Sequence, residues 1–289
     1  MPIVGIMTKT SGRRGPMPLT NDGTLTICFL GVGSAFAKKS FQSNFLIVKG
    51  DTHLLVDVGT RADHALEQLG LSVLDIDNVL ITHSHADHIG GLEQLMLMNR
   101  YVKQRKPTIL INPSYEKILW SQSLRGGCEM NERRNGKGLG FSDFWERKRP
   151  RKEHHLGRDT ELYELGELTI RTFRTRHYPQ QAKSWRDAMY STGVVIDDRV
   201  FISGDTQFDA DLLLDYASRY SVEEIFHDAQ LFTGGIHAGL EELSGLPEEI
   251  KAKTRLYHYG DNFDDHRKAV KEAGFKGFAE QAKLYRYPV

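Results

Sequence analysis

The chain has 289 residues, of which 39% are hydrophobic and 26% charged, and its formal net charge is zero. That balance is ordinary for a globular protein and excludes bulk charge as a basis for binding nucleic acid or a membrane surface. Two cysteines, Cys28 and Cys128, are too few for a disulfide framework and fit a reducing compartment, and no apolar run is long enough to span a bilayer.

Residues 1–23 lack periodicity. Their short apolar start is followed by basic and turn residues, the reverse of a secretory signal, so an N-terminal extension on a cytoplasmic protein is expected. Residues 24–289 read as a single domain. "TLTICFLGVG" is a β-like run that breaks at Gly31 and Gly33. "SNFLIVKG" and "THLLVDVG" predict two strands joined at Gly50-Asp51, a hairpin dipeptide. A helix is expected over 61–70, then "DNVLIT" as a strand buried on both faces. "GGLEQLMLMNRYVKQ" has helical spacing. A strand "PTILINP" and a helix near 114–124 follow.

Residues 125–160 break this rhythm as a Gly-rich, then basic insertion. It carries Arg147, Lys148, Arg149, Arg151 and Lys152, then His154, His155 and Arg158. It reads as a solvated loop or as a phosphate-holding patch for a polyanion, with Trp145 nearby as a candidate stacking residue. Strands return at "LTIRTFRTRH", "STGVVIDD" and "RVFISGDT". A helix near 209–219, a strand "EEIFHDAQ", a helix near 240–253, a strand "RLYHYG" and a helix "DDHRKAVKEAG" complete the pattern. Strand runs interleaved with helices imply helices covering sheet faces.

The chemistry concentrates in "VLITHSHADHIGG". His83, His85, Asp87 and His88 fall within six positions, where a buried strand meets a helix. Imidazole and carboxylate donors suit zinc, iron or manganese. Alternate residues on an extended strand end point the same way, so His83 and His85 can converge on one ion. One cluster does not complete a site, because each ion needs about four ligands. His177, Asp205 and His258 each close another apolar β-like run, where a side chain reaches the edge of a sheet. His154 and His155 lie in a charged loop and are the weaker candidates.

These motifs resemble the metallo-β-lactamase superfamily, with "HSHADH" as its metal motif. "FLGVGSAF", "SNFLIV", "LLVDVG", "FISGDT", "FHDAQ" and "YHYGD" follow in that family's order and resemble most its tRNase Z-like phosphodiesterase branch. The resemblance implies a four-layer αβ/βα sandwich with two divalent transition-metal ions, zinc first and manganese or iron as alternatives. It implies that His83, His85 and His177 hold one ion, that Asp87, His88 and His258 hold the other, and that Asp205 bridges them. Asp57 in "LLVDVG" would support the ligands from behind. Relatives that reduce oxygen at a di-iron centre have Glu where this chain has His85, so His85 implies hydrolysis.

The expected function is therefore a metal-dependent hydrolase, foremost a phosphodiesterase acting on RNA or on a cyclic or other small nucleotide-type diester. The alternatives are a hydrolase of a carbon ester, lactone or thioester, and a metal-holding nucleic-acid-binding scaffold without activity. Asp87 is a candidate proton acceptor for the attacking water. His237 in "GGIHAG" resembles the histidine that the tRNase Z-like branch places over the scissile phosphate. His227 and Asp228 are expected behind the ligands or against substrate. The expected partners are a phosphodiester or other small anion, with RNA and a second copy of the chain as further candidates and no membrane.

Overall fold

A computed structural model describes residues 16–154, 157–232 and 234–288. His155 lies outside the described residues, as does most of the expected N-terminal extension. Residues 16–23 are docked: Met17 N donates to Leu69 O at 2.9 Å and Asn21 N to Gly50 O at 2.9 Å.

The chain first builds an antiparallel meander of β1 (Leu25–Phe29), β2 (Phe45–Lys49) and β3 (Thr52–Val56). Lys49 pairs with Thr52 across the expected two-residue turn, where Gly50 takes a φ of 55° that favours glycine. Then α1 (Ala62–Gln68) crosses to β4 (Asn78–Leu80), parallel to β3. Next come α2 (Ala86–Ile89) and α3 (Leu92–Met98), which continues in wider turns over Asn99–Lys103. β5 (Thr108–Leu110) lies parallel to β4. Asn112 then caps α4 (Pro113–Ile118), its side chain accepting from Tyr115 N with proline in the first turn, a pairing that fixes a helix start.

After α5 (Arg125–Cys128) and the small ribbon β6 (Arg133–Arg134) and β7 (Lys137–Gly138), the basic segment turns out to be edge structure in both sheets. β8 (Glu146–Lys148) lies beside β5, and β9 (Arg151–Glu153) begins the second sheet. That sheet continues through β10 (Thr160–Leu165), β11 (Leu168–Arg174), β12 (Thr192–Ile196) and β13 (Val200–Ile202). It then gains β14 (Glu224–Asp228) after α6 (Ala210–Arg219), and β15 (Thr254–Tyr257) after α7 (Leu240–Ser244) and α8 (Glu248–Lys251). The single helix expected over 240–253 is thus two, because Gly245 and Pro247 interrupt it: proline has no N–H to donate, and its ring disfavours a helical residue before it. α9 (Phe263–Glu272), β16 (Gly277–Phe278) and β17 (Leu284–Tyr287) complete the chain.

The seven-stranded sheet runs β17-β1-β2-β3-β4-β5-β8 and the eight-stranded sheet β16-β15-β14-β13-β12-β11-β10-β9. Strand alternation sorts the apolar side chains between layers. Ile27, Phe29, Ile47, Leu54 and Val56 join Ile170, Val194 and Phe226 in the core between the sheets, whereas Phe173 faces the other way onto Tyr216 of the covering helix. Phe29 and Phe226 meet there with ring centroids 4.8 Å apart. The opposite faces of β2 and β3, through Leu46, Val48 and Leu55, pack on Leu66, Leu92 and Met96 of α1 and α3. On the far side Leu212, Tyr216 and Val270 of α6 and α9 cover the second sheet. The result is the four-layer α/β/β/α sandwich that the sequence resemblance implies. Among the described residues, no helix is long and apolar enough to cross a membrane.

Directionality positions the site. β3, β4 and β5 are parallel, as are β13, β14 and β15. β11 shares the direction of β13, because both are antiparallel to β12. Asp57, His83, His177, Asp205 and His258 follow the carboxyl ends of β3, β4, β11, β13 and β15, and Asp228 ends β14. The two sheets are tied next to these residues, where Thr192 N donates to Thr82 O at 3.2 Å.

Within the basic segment, Arg147 and Arg149 both pair with Glu116, and Arg158 with Asp209. Replacing Arg147 and Arg149 together by alanine is expected to shift urea unfolding by about 1 kcal/mol or less, the usual scale for exposed ion pairs. The KM for a small diester should not change. A rise in the KM for RNA in this variant would make the pair a substrate contact.

Candidate metal centre

β4 ends at Leu80, and five residues on His85, extended at φ −70° and ψ 152°, becomes the N-cap of α2. His83 and His85 bring their ring nitrogens to 2.9 Å of one another, while Asp87 and His88 are buried on α2. Asp205 needs the glycine before it. Gly204 has a φ of 61°, and a Cβ there would lie 2.3 Å from Thr192 O. Gly59 serves the other wall, since its Cβ would lie 2.0 Å from Asp87 O.

The seven residues expected as ligands do converge. Donor atoms of His83, His85 and His177 form one group, and those of Asp87, His88, Asp205 and His258 a second, each within 4.8 Å. His85 Nδ1 lies 2.9 Å from His83 Nε2 and 3.1 Å from His177 Nε2. Asp205 Oδ2 stands between the groups, 3.2 Å from His88 Nε2, 3.3 Å from His258 Nε2, 3.7 Å from His177 Nε2 and 3.8 Å from His83 Nε2. Asp87 Oδ2 is 3.2 Å from His88 Nε2 and 3.3 Å from His258 Nε2.

Behind this shell, Asp57 accepts from Thr82 N at 2.8 Å and Thr82 Oγ1 at 2.7 Å, and sits 2.7 Å from His88 Nδ1. It fixes the ring whose other nitrogen faces Asp205. His177 Nδ1 donates to Ile236 O at 3.0 Å and so turns Nε2 inward. Asp228 is fully buried. One of its carboxylate oxygens accepts from Thr206 N at 3.1 Å and meets His237 Nδ1 at 2.7 Å. This brings His237 within 4.6 Å of the His258 ring and 5.0 Å of the His177 ring, measured between centroids. His227 is in none of the donor groups, and its Nδ1 donates to Asp228 O at 2.7 Å. His154 has no place in any of the donor groups.

Burial and charge act in opposite senses across the cluster. Burial lowers His83 and His85, and holds His177 down to about 4, so these rings present lone pairs. Burial also opposes charge on His88, but Asp205, Asp87 and Asp57 outweigh it and hold that ring above its usual value. Burial works against ionisation of Asp87 and Asp205 as well, yet neighbouring histidines hold both well below the carboxylate range. For His237 burial is outweighed by Asp228, which holds it above the ordinary histidine value.

Two residues at the site, and one pairing, escaped the sequence reading. Thr82 carries Asp57. Tyr178 stacks on His85 with centroids 4.4 Å apart; its only signal was its place directly after His177. Asp228 and His237, taken separately in the sequence, join Asp205 and His258 in a third donor group.

The donors fit a divalent cation. Nitrogen and oxygen atoms with lone pairs are packed against one another, and His88 Nε2 and Asp205 Oδ1 are buried without a hydrogen-bond partner. Such a cluster is costly unless positive charge lies among the donors.

Comparison with known proteins places the chain further. The family model for Anti-Pycsar protein Apyc1 matches residues 25–285. The chain is 36% identical over 267 residues to the Anti-Pycsar protein Apyc1 of Bacillus phage 010DV004, covering 91% of this chain and 98% of the relative. It is 35% identical over 263 residues to that of Paenibacillus sp. (strain J14), covering 90% and 98%. Among solved structures, the metallo-β-lactamase fold protein YhfI from Bacillus subtilis superposes with a TM-score of 0.64 at 16% identity, over 91% of this chain and 100% of that one. Human tRNase Z, short form, superposes with a TM-score of 0.61 at 16% identity, over 91% and 100%. These structures establish the metallo-β-lactamase fold.

Proposed function

This chain belongs to the Anti-Pycsar protein Apyc1 family, and from that premise we propose that it is a metal-dependent phosphodiesterase acting on a small, cyclic nucleotide-type diester. The observation that carries the reading is the convergence of seven donors on both sides of Asp205 Oδ2, with the Asp228–His237 pair against them. His83, His85 and His177 would hold one divalent ion, Asp87, His88 and His258 a second, and Asp205 both, with zinc first and manganese or iron as alternatives. Bound there, such ions would lower the pKa of water to about 7 and offset negative charge on phosphoryl oxygens.

The chain's own residues account for the remainder. Asp57 orients His88, and the His177–Ile236 bond sets that ring's tautomer. His88 and His258 outweigh burial and hold Asp87 well below the carboxylate range, which favours its part as a ligand over that of a proton acceptor. For His237 burial is outweighed by Asp228, which holds the ring above the ordinary histidine value and so favours its protonated form. Its Nε2 can hand that proton to the leaving oxygen as water's oxygen joins phosphorus and the P–O ester bond breaks.

A small substrate is favoured over RNA by the space available. The cavity beside His237 is about 630 Å³, in the range of roughly 300–1,000 Å³ that suits one small ligand. Three cations of the basic segment, Arg147, Arg149 and Arg158, are meanwhile committed to Glu116 and Asp209. Cys28 and Cys128, both buried and unpaired, suit a reducing cytoplasmic setting.

Protein purified without chelator should contain close to two transition-metal ions per chain. Supplied with zinc or manganese, it should hydrolyse bis-p-nitrophenyl phosphate and cyclic nucleotides in preference to RNA, a lactone or a thioester. Chelation should abolish the turnover. A protein that stays metal-free after supplementation, or one that opens only the lactone or thioester, would overturn the reading.

A further inference from the structure

The cavity that opens at His237 is bounded on one side by the loop after β14, through Phe232, and on the other by Arg176 after β11, Gln207 after β13 and His266 of α9. The loop is tied down at its base. Gln230 N donates to Ala238 O at 2.9 Å, Leu240 N donates to Gln230 O at 3.2 Å, and the Gln230 side-chain amide donates to Gly234 O. Leu231 and Ala238 are buried, yet Phe232 between them is 67% exposed. A large apolar ring is thus held at the mouth of a cavity whose other wall is polar. That wall is built too. The Gln207 amide donates to His177 O at 2.7 Å, the Arg176 guanidinium donates to Phe208 O, and Arg176 Nε is buried without a partner.

We propose that Phe232 determines specificity by stacking on the nucleobase of a nucleoside cyclic phosphate, with Arg176 across the cavity donating to an acceptor on the nucleoside. This rests on the reading of the site as a phosphodiesterase. Because every base has a π-face, stacking tolerates base identity. The substrate class is therefore nucleoside cyclic phosphates as a group, distinguished from diesters that lack a base.

Phe232→Ala should raise the KM for nucleoside cyclic phosphates by about 10- to 100-fold, the range set by base–aromatic stacking. Its kcat should stay within about twofold, and the KM for base-less ribose cyclic phosphate should not move. Phe232→Trp should restore the wild-type KM. An unchanged KM for the nucleoside substrates, or an equal rise for both kinds of substrate, would overturn the proposal. Calorimetric binding of a nucleoside 5′-monophosphate and of ribose 5-phosphate separates this inference from the reading beneath it. If the wild type turns over no cyclic nucleotide, the reading falls. Stacking then still stands if Phe232→Ala weakens only the nucleotide, by about tenfold or more, and falls if the two ligands respond alike.

Discussion

Asp205→Ala is expected to lose both metal ions, dropping metal content from near two per chain to well under one, and to lower turnover by about 10³-fold or more. Oδ2 of this residue lies within 3.8 Å of ring nitrogens of His83, His88, His177 and His258. The effect comes from removing the carboxylate oxygen that stands between the two donor groups, and the Lewis-acid contribution lost with the ions is worth several kcal/mol. His258→Ala, by contrast, removes one donor from one group and should weaken mainly that site. Four histidines facing a missing carboxylate also endanger folding. Asp205→Asn is therefore the companion variant: it keeps the shape and one oxygen donor while removing the charge. Metal analysis and thermal melts on all three variants decide the matter. Wild-type metal content in Asp205→Ala would sink the bridging role.

The residues of this centre were legible because two signals coincide. An apolar β-like run identifies a strand, and a His or Asp at its carboxyl end sits where open α/β sheets place ligands. That reasoning found His83, His177, Asp205 and His258 without distances. It failed where the partner, and not the local sequence, makes the element. β8 and β9 are Glu-Arg-Lys and Arg-Lys-Glu. Nothing in them alternates, and they become strands because β5 and β10 offer unpaired edges. Their charges also blunt those edges against further pairing. β17 closes the first sheet by pairing with β1, more than 250 positions upstream. Such a long-range pairing leaves no local trace in four residues. Gly245 and Pro247, in contrast, were a readable stop signal inside the expected 240–253 helix. The Asp228–His237 contact belongs to the illegible part. It depends on how a loop with Gly234 and Gly235 at φ 81° and 119° folds back over nine positions.

That loop sets up the second large effect. His237→Ala is expected to keep the fold and both metal ions yet lose about 10²–10⁴ in kcat on a cyclic nucleotide, the usual worth of a positioned general acid. The leaving oxygen there is an alkoxide, which departs poorly without a proton. His237 Nδ1 is engaged by Asp228, so Nε2 is the ring nitrogen left to serve it. Bis-p-nitrophenyl phosphate tests the role directly, because p-nitrophenolate leaves without protonation and should lose far less. Asp228→Asn should fall in between and in the same substrate order: it keeps a hydrogen bond to the ring but removes the charge that outweighs burial and holds His237 above its ordinary value. Equal losses with both leaving groups would make His237 a phosphate-positioning residue. Unchanged rates with both would leave it an ordinary loop histidine and remove proton donation from the proposed chemistry.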